Sequence, residues 1–165
     1  MKIYVSRYGN PELKSQKYTA LRISLGSPKW DVGYPIAGEV KALMPWGLLK
    51  KFEEYEDFKP HYFKLLDRFN ELNVRAVIER FDEGKPIVLL CYEDIRKGKE
   101  TWCHRTAFAE WWKQRTGEEI EELPDPSGFK PLDPTEKEAE KVEPQPEQIS
   151  LFEHTGGSIS LYMRT

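Results

Sequence analysis

The run Ile87-Val88-Leu89-Leu90-Cys91 constrains this chain more than any other stretch. It is apolar throughout and follows the breaker Gly84-Lys85-Pro86. A strand with one wet face alternates polar and apolar residues. One without polar positions is buried on both faces, as in a parallel sheet. The run therefore predicts a central strand of a mostly parallel α/β sheet. It leads into Cys91-Tyr92-Glu93, a polar Gly-containing loop, and then Cys103-His104-Arg105. From there Ala107, Phe108, Trp111 and Trp112 recur at helical spacing, and Gly117 offers a C-terminal cap. Both cysteines of the chain meet at this strand–loop–helix junction. In open α/β sheets ligands bind at the carboxyl ends of strands, so the junction is the candidate site.

The remaining segments fit the same class. Ile3-Tyr4-Val5 and Tyr18 to Leu25 read as strands, separated by the turn signal Tyr8-Gly9-Asn10-Pro11. From Gly26 to Trp46 glycine and proline recur, predicting a long ligand-facing loop with room for a short helix. Gly47 to Phe58 reads as helical, and Pro60 suits the first position of a second helix. That helix carries Tyr62, Leu65, Leu66, Phe69, Leu72 and Ala76 on one face. Glu118 to Leu123 alternates as a last strand. The order predicts a small three-layer Rossmann-like α/β domain over residues 1–123. Residues 124–147 are proline-rich and acidic, with eight acidic residues from Glu122 to Glu147 against three lysines, and read as a linker. Residues 148–165 form a tail in which hydrophobicity returns.

Charge narrows the function classes. The chain carries a formal net charge of −3, concentrated in the linker. Residues 1–121 hold 21 Lys and Arg against 19 Asp and Glu. This argues against a broad nucleic-acid-binding face but leaves room for a local phosphate pocket. No stretch has the length of a membrane span, and the opening residues read as a strand rather than a leader. Two cysteines without export signals predict reduced thiols in the cytoplasm.

Several chemistries are open at the junction. A helix N-terminus favours negative charge, so Cys103 there is a candidate thiolate, with His104 and Arg105 assisting. The same cradle suits a substrate phosphate or carboxylate, with Arg105 as a forked donor. The bland alternative is a buried packing cysteine and an arginine paired with a glutamate. Strand alternation puts Cys91 and Glu93 on one face, where Glu93 suits a general acid or base, or a group orienting Arg105. A phosphatase-type loop is excluded because Glu93 and Asp94 would repel the phosphate. The cysteine spacing fits no zinc knuckle, so no metal site is expected, although Cys91, Cys103, His104 and a carboxylate are zinc-type donors. No Cys-x-x-Cys, P-loop, dinucleotide fingerprint or nucleophile elbow is present. The sequence names no cofactor.

The stretches VLLCYE and WCHRTAFAEWW, followed by a glycine and a short acidic strand, together resemble the uncharacterised bacterial, archaeal and phage family catalogued as domain of unknown function 488. YTALRISLGSPKW is similar to that family's N-terminal segment. The resemblance covers roughly residues 1–123. It implies a Rossmann-like domain whose pocket is lined by Arg22, Cys91, Glu93, Cys103, His104 and Arg105, without implying a reaction. Within that set the candidate roles are catalysis by Cys103, His104 and Glu93, and phosphate or ligand binding by Arg22, Arg105 and Cys91.

The tail has a resemblance of its own. Gln148-Ile149-Ser150-Leu151-Phe152 is similar to the bacterial sliding-clamp-binding pentapeptide. Gln148 would supply amide hydrogen bonds, and Leu151 and Phe152 would fill an apolar pocket. An affinity of about micromolar is expected, because the peptide loses ordering entropy on binding. The opposing expectation is a tail that docks on its own domain. Together these readings predict a domain that binds or acts on a nucleotide or nucleic-acid end in DNA metabolism, recruited to the clamp. The alternatives are a non-catalytic adaptor or regulatory ligand-binding module, and a thiol-dependent transferase unrelated to DNA.

Overall fold

The computed structural model describes residues 1–98 and 101–128. Five parallel strands form one sheet: β1 (Ile3–Arg7), β2 (Thr19–Arg22), β3 (Gly38–Glu39), β4 (Ile87–Cys91) and β5 (Glu121–Glu122). Their spatial order is β3-β2-β4-β1-β5. The apolar strand β4 is central, as its composition predicts, pairing Val5 with Leu89 on one side and Leu21 with Leu89 on the other. All five of its residues are buried. Each such Val, Ile or Leu contributes about 1.5–3 kcal/mol relative to exposure. The edge strands β3 and β5 are two residues long, which leaves little free edge for a foreign strand.

The two faces of the sheet are covered differently. On one face α1 (Tyr55–Phe69), α2 (Glu71–Glu79) and α3 (His104–Thr116) pack on Ile3, Val5, Leu21, Ile23, Ile87 and Leu89. Phe58, Tyr62, Phe108, Trp111 and Trp112 fill that core. On the other face Ala20, Val88 and Leu90 are covered by Leu13, from a short 3-10 helix over Pro11–Ser15, and by Tyr8 and Tyr34. That layer is loop and 3-10 helix rather than α-helix.

The sequence reading is corrected in the helical layer. Residues 47–51 form turns, and α1 starts at Tyr55 and runs through Pro60. An interior proline normally costs a helix about 3 kcal/mol. Here Phe58, Tyr62 and Leu66, at four-residue spacing on the buried face, offset it. The single long stripe is broken at Asn70, whose φ of 58° ends α1 and whose side chain accepts from the Asn73 N–H to start α2. The register shifts there, so Leu72 stands 70% exposed while Val74 and Ile78 take the core positions. Among the described residues no helix is long and apolar enough to cross a membrane.

Chain direction divides the connections between the faces. β1 leads into the Pro11–Ser15 helix, and β2 into the loop carrying Tyr34, both on the loop-covered face. β4 leads to α3 on the helical face. The carboxyl end of β4 therefore borders a topological switch against both of its neighbours, the position at which open α/β sheets leave a crevice.

Candidate functional site

The junction singled out in the sequence folds into a closed polar cluster at this switch. β4 ends at Cys91, whose side chain shares the helical face with Ile87 and Leu89. Cys103 is the N-cap of α3 in extended conformation, and His104 is its first residue. Glu93 reaches both thiols, with Oε2 at 3.0 Å from Cys91 Sγ and 2.8 Å from Cys103 Sγ. His104 Nδ1 lies 3.4 Å from Cys91 Sγ and 3.9 Å from Cys103 Sγ, and its Nε2 lies 3.0 Å from the Ile23 carbonyl. The edge-on ring of Tyr62 closes the cluster from α1. Cys91, Cys103 and His104 are all buried, and both cysteines are free thiols.

Electrostatics separate the groups. Burial opposes ionisation of Cys103, yet hydrogen bonds from Cys91 and His104, together with the His104 ring and the Arg105 guanidinium, bring its thiol well below the ordinary range. Burial pushes Cys91 up, and the Cys103 sulfur adds to the shift. Burial also raises Glu93, reinforced by the neighbouring Cys103. The thiolate is thus favoured on the sulfur at the helix N-terminus.

Arg105 is fully engaged. Its Nε and Nη2 donate to the two carboxylate oxygens of Glu122 at 3.0 Å each, and Nη1 donates to the Glu93 carbonyl at 2.7 Å. It is 1% exposed, so its fork binds β5 and the β4 loop to α3. Arg22 pairs with Glu39 across the ends of β2 and β3 and donates to the carbonyls of Ser24 and Leu25. Five of the six junction residues thus form one constellation. Arg22 stands outside it, on the loop-covered side of the strand ends by alternation with Leu21 and Ile23.

Two features escaped the sequence reading. One is an ionic lattice beside the cluster. Arg7 donates to Asp125 at 2.8 Å, and Arg96 binds Asp94 through two nitrogens at 2.8 and 2.7 Å. A cavity of about 200 Å³ adjoins it, lined by Arg7, Asp94, Arg96, Glu122 and Asp125 among others. The other is an aromatic shelf at the switch. Tyr92 lies edge-on to Tyr8 at 4.9 Å and to Trp30 at 5.8 Å, with Tyr8 and Trp30 6.4 Å apart. Tyr8 is buried and tied to Ser24 Oγ at 2.7 Å, whereas Trp30 is 52% and Tyr92 37% exposed. The signal for the shelf was present in part: Trp30 lies in the loop expected to face a ligand. Trp46, in the same loop, donates to the Lys41 carbonyl instead. Gln148, Leu151 and Phe152 lie outside the described residues.

Compared with known proteins, the chain matches no family model, no curated protein and no solved structure.

Proposed function

We propose that this chain binds a nucleotide or a nucleic-acid end in DNA metabolism, and that its Gln148–Phe152 segment recruits it to the sliding clamp. The observation that carries the binding half is the aromatic shelf. Trp30 and Tyr92 are both exposed at the switch point of the sheet, and stacking on aromatic rings is worth about 1–3 kcal/mol per base. Arg22 stands at the neighbouring strand ends, on the same side of the sheet, paired with Glu39. The near-neutral balance of residues 1–121 suits a short ligand rather than a long duplex. The recruitment half is supported by the pentapeptide and the proline-rich segment before it.

Binding is favoured over thiol-dependent transfer because Cys103 is 1% exposed and walled by Glu93, His104 and Arg105, so no substrate carbon reaches the sulfur in this conformation. Cys103, His104 and Glu93 are then supports of the binding edge rather than groups that touch substrate.

The test measures both halves on the full chain. Anisotropy with short fluorescent single-stranded DNA should report binding that weakens roughly tenfold or more in a Trp30→Ala, Tyr92→Ala double variant. Immobilised clamp should capture the parent chain and lose most affinity for a Leu151→Ala, Phe152→Ala variant, since a linear motif concentrates its energy in a few anchors. The variant's melting temperature should stay that of the parent. Failure of the parent chain to bind any oligonucleotide or mononucleotide defeats the first half. A tail variant that melts several degrees lower, with no clamp capture by the parent, defeats the second.

A further inference from the structure

We infer that Cys91, Cys103 and His104 form a zinc site that ties the end of β4 to the start of α3. This goes beyond nucleic-acid binding and does not rest on it. The donor atoms of Cys91, Cys103 and His104 all lie within 4.8 Å of one another and are buried. Tetrahedral zinc with bonds of about 2.3 Å to sulfur and about 2.0–2.1 Å to nitrogen sets sulfur–nitrogen separations of roughly 3.5 Å. The two such separations here, 3.4 and 3.9 Å, bracket that value. The fourth position is left to a water molecule or a ligand, because the Glu93 carboxylate does not join the group that these three donor atoms make. Glu93 Oε2, at 3.0 and 2.8 Å from the sulfurs, accepts hydrogen bonds from the thiols and yields its place when they ionise to bind the ion.

The histidine is held as a metal-ligating histidine is. Its Nε2, at 3.0 Å from the Ile23 carbonyl, must carry the proton, because a carbonyl only accepts. Nδ1 faces the two sulfurs, and on binding zinc it would offer the ion its lone pair. A ring nitrogen fixed by a backbone carbonyl is the usual outer support of a histidine ligand. The donors are mounted on a strand end and a helix start, with Arg105 locking the Glu93 backbone from behind. Two thiolates and an imidazole select zinc over magnesium or calcium, which take oxygen donors, and four cysteines for an iron–sulfur cluster are lacking. The ion would also offset the charge of the two thiolates it binds in this buried space.

The full chain, purified under reducing conditions without chelators, should carry about one zinc per molecule by elemental analysis. After chelation, cobalt(II) should restore one equivalent, with the visible bands of a tetrahedral ion and near-ultraviolet sulfur-to-cobalt charge transfer. Cys91→Ser or Cys103→Ser should halve that charge-transfer intensity. Should the serine variants fail to fold, the parent decides alone: its two thiols should resist Ellman's reagent until a chelator is added. A fully reduced parent chain that retains no zinc and gives no charge transfer with cobalt overturns the inference. So does a Cys91–Cys103 disulfide in chain purified under reducing conditions.

Discussion

Cys91 and Tyr92 are neighbours in sequence and opposites in environment. Cys91 turns to the helical face and joins a cluster in which both thiols, an imidazole and a guanidinium are buried. Tyr92 turns to the loop-covered face, where it and Trp30 stand in water. One strand end thus separates a closed polar centre from an open aromatic shelf. The difference follows from what covers each face. Three helices, with Phe58 of α1 and Phe108, Trp111 and Trp112 of α3 at buried positions, cover one face closely, while loops and a 3-10 helix cover the other face only as far as Tyr8 and Tyr34. In the function proposed above, the closed side supports the strand end and the open side recognises the ligand.

The closed side should be the costly one to disturb. Replacing Arg105 by Ala removes the fork that joins α3 to Glu122 and the Glu93 carbonyl, and breaking a buried pair costs about 3–5 kcal/mol. Glu122 keeps a side-chain exposure of 36%, which relieves part of the penalty, so the expected loss in urea unfolding is about 3 kcal/mol. A loss below roughly 1 kcal/mol, the usual worth of a surface pair, would place Arg105 among solvated ions and dissolve the contrast. Trp30→Ala, on the open side, should leave urea stability within about 0.5 kcal/mol of the parent.

The ionic lattice at the margin gives a smaller effect with a defined pH sign. Arg96 donates two hydrogen bonds to Asp94 and outweighs its partial burial, and the Arg96 N–H and Arg7 add to this, bringing the carboxyl down to about 2. A folded value below the unfolded one means the stabilisation is present above about pH 4 and is lost as pH falls through about 2. After discounting for solvent screening, thermal unfolding between pH 4 and 2 should reveal about 1–2 kcal/mol that an Asp94→Asn variant does not lose. Parallel profiles for the two proteins would show that Asp94 titrates freely.

How much of this the sequence disclosed depends on the range of the forces involved. The central strand was legible because five apolar residues after a proline admit few environments, and α3 because its stripe and Gly117, with φ of 77°, are local signals. The meeting of Cys91, Glu93, Cys103 and His104 was legible as a junction. Its donor geometry was not, since strand end and helix start supply a spacing that no knuckle pattern contains. The start of α1 was misplaced because a local rule about Pro60 yields to burial of Phe58, Tyr62 and Leu66. The break at Asn70 depends on a positive φ that periodicity does not report. Strand β3 is two residues paired to β2, and the Arg105–Glu122 fork spans 17 residues; both are tertiary facts. The shelf joins Tyr8, Trp30 and Tyr92 from three separate segments and leaves no local pattern.

The division of the strand end into a supporting side and a recognising side is tested most directly by locating a bound ligand. Photo-crosslinking of the full chain to a short single-stranded oligonucleotide carrying a photoreactive base, followed by peptide mapping, reads the contact without any variant. Crosslinks should fall on the peptides that hold Trp30 and Tyr92 and spare the one holding Cys103, His104 and Arg105. Crosslinks confined to the Cys103–Arg105 peptide would contradict the account.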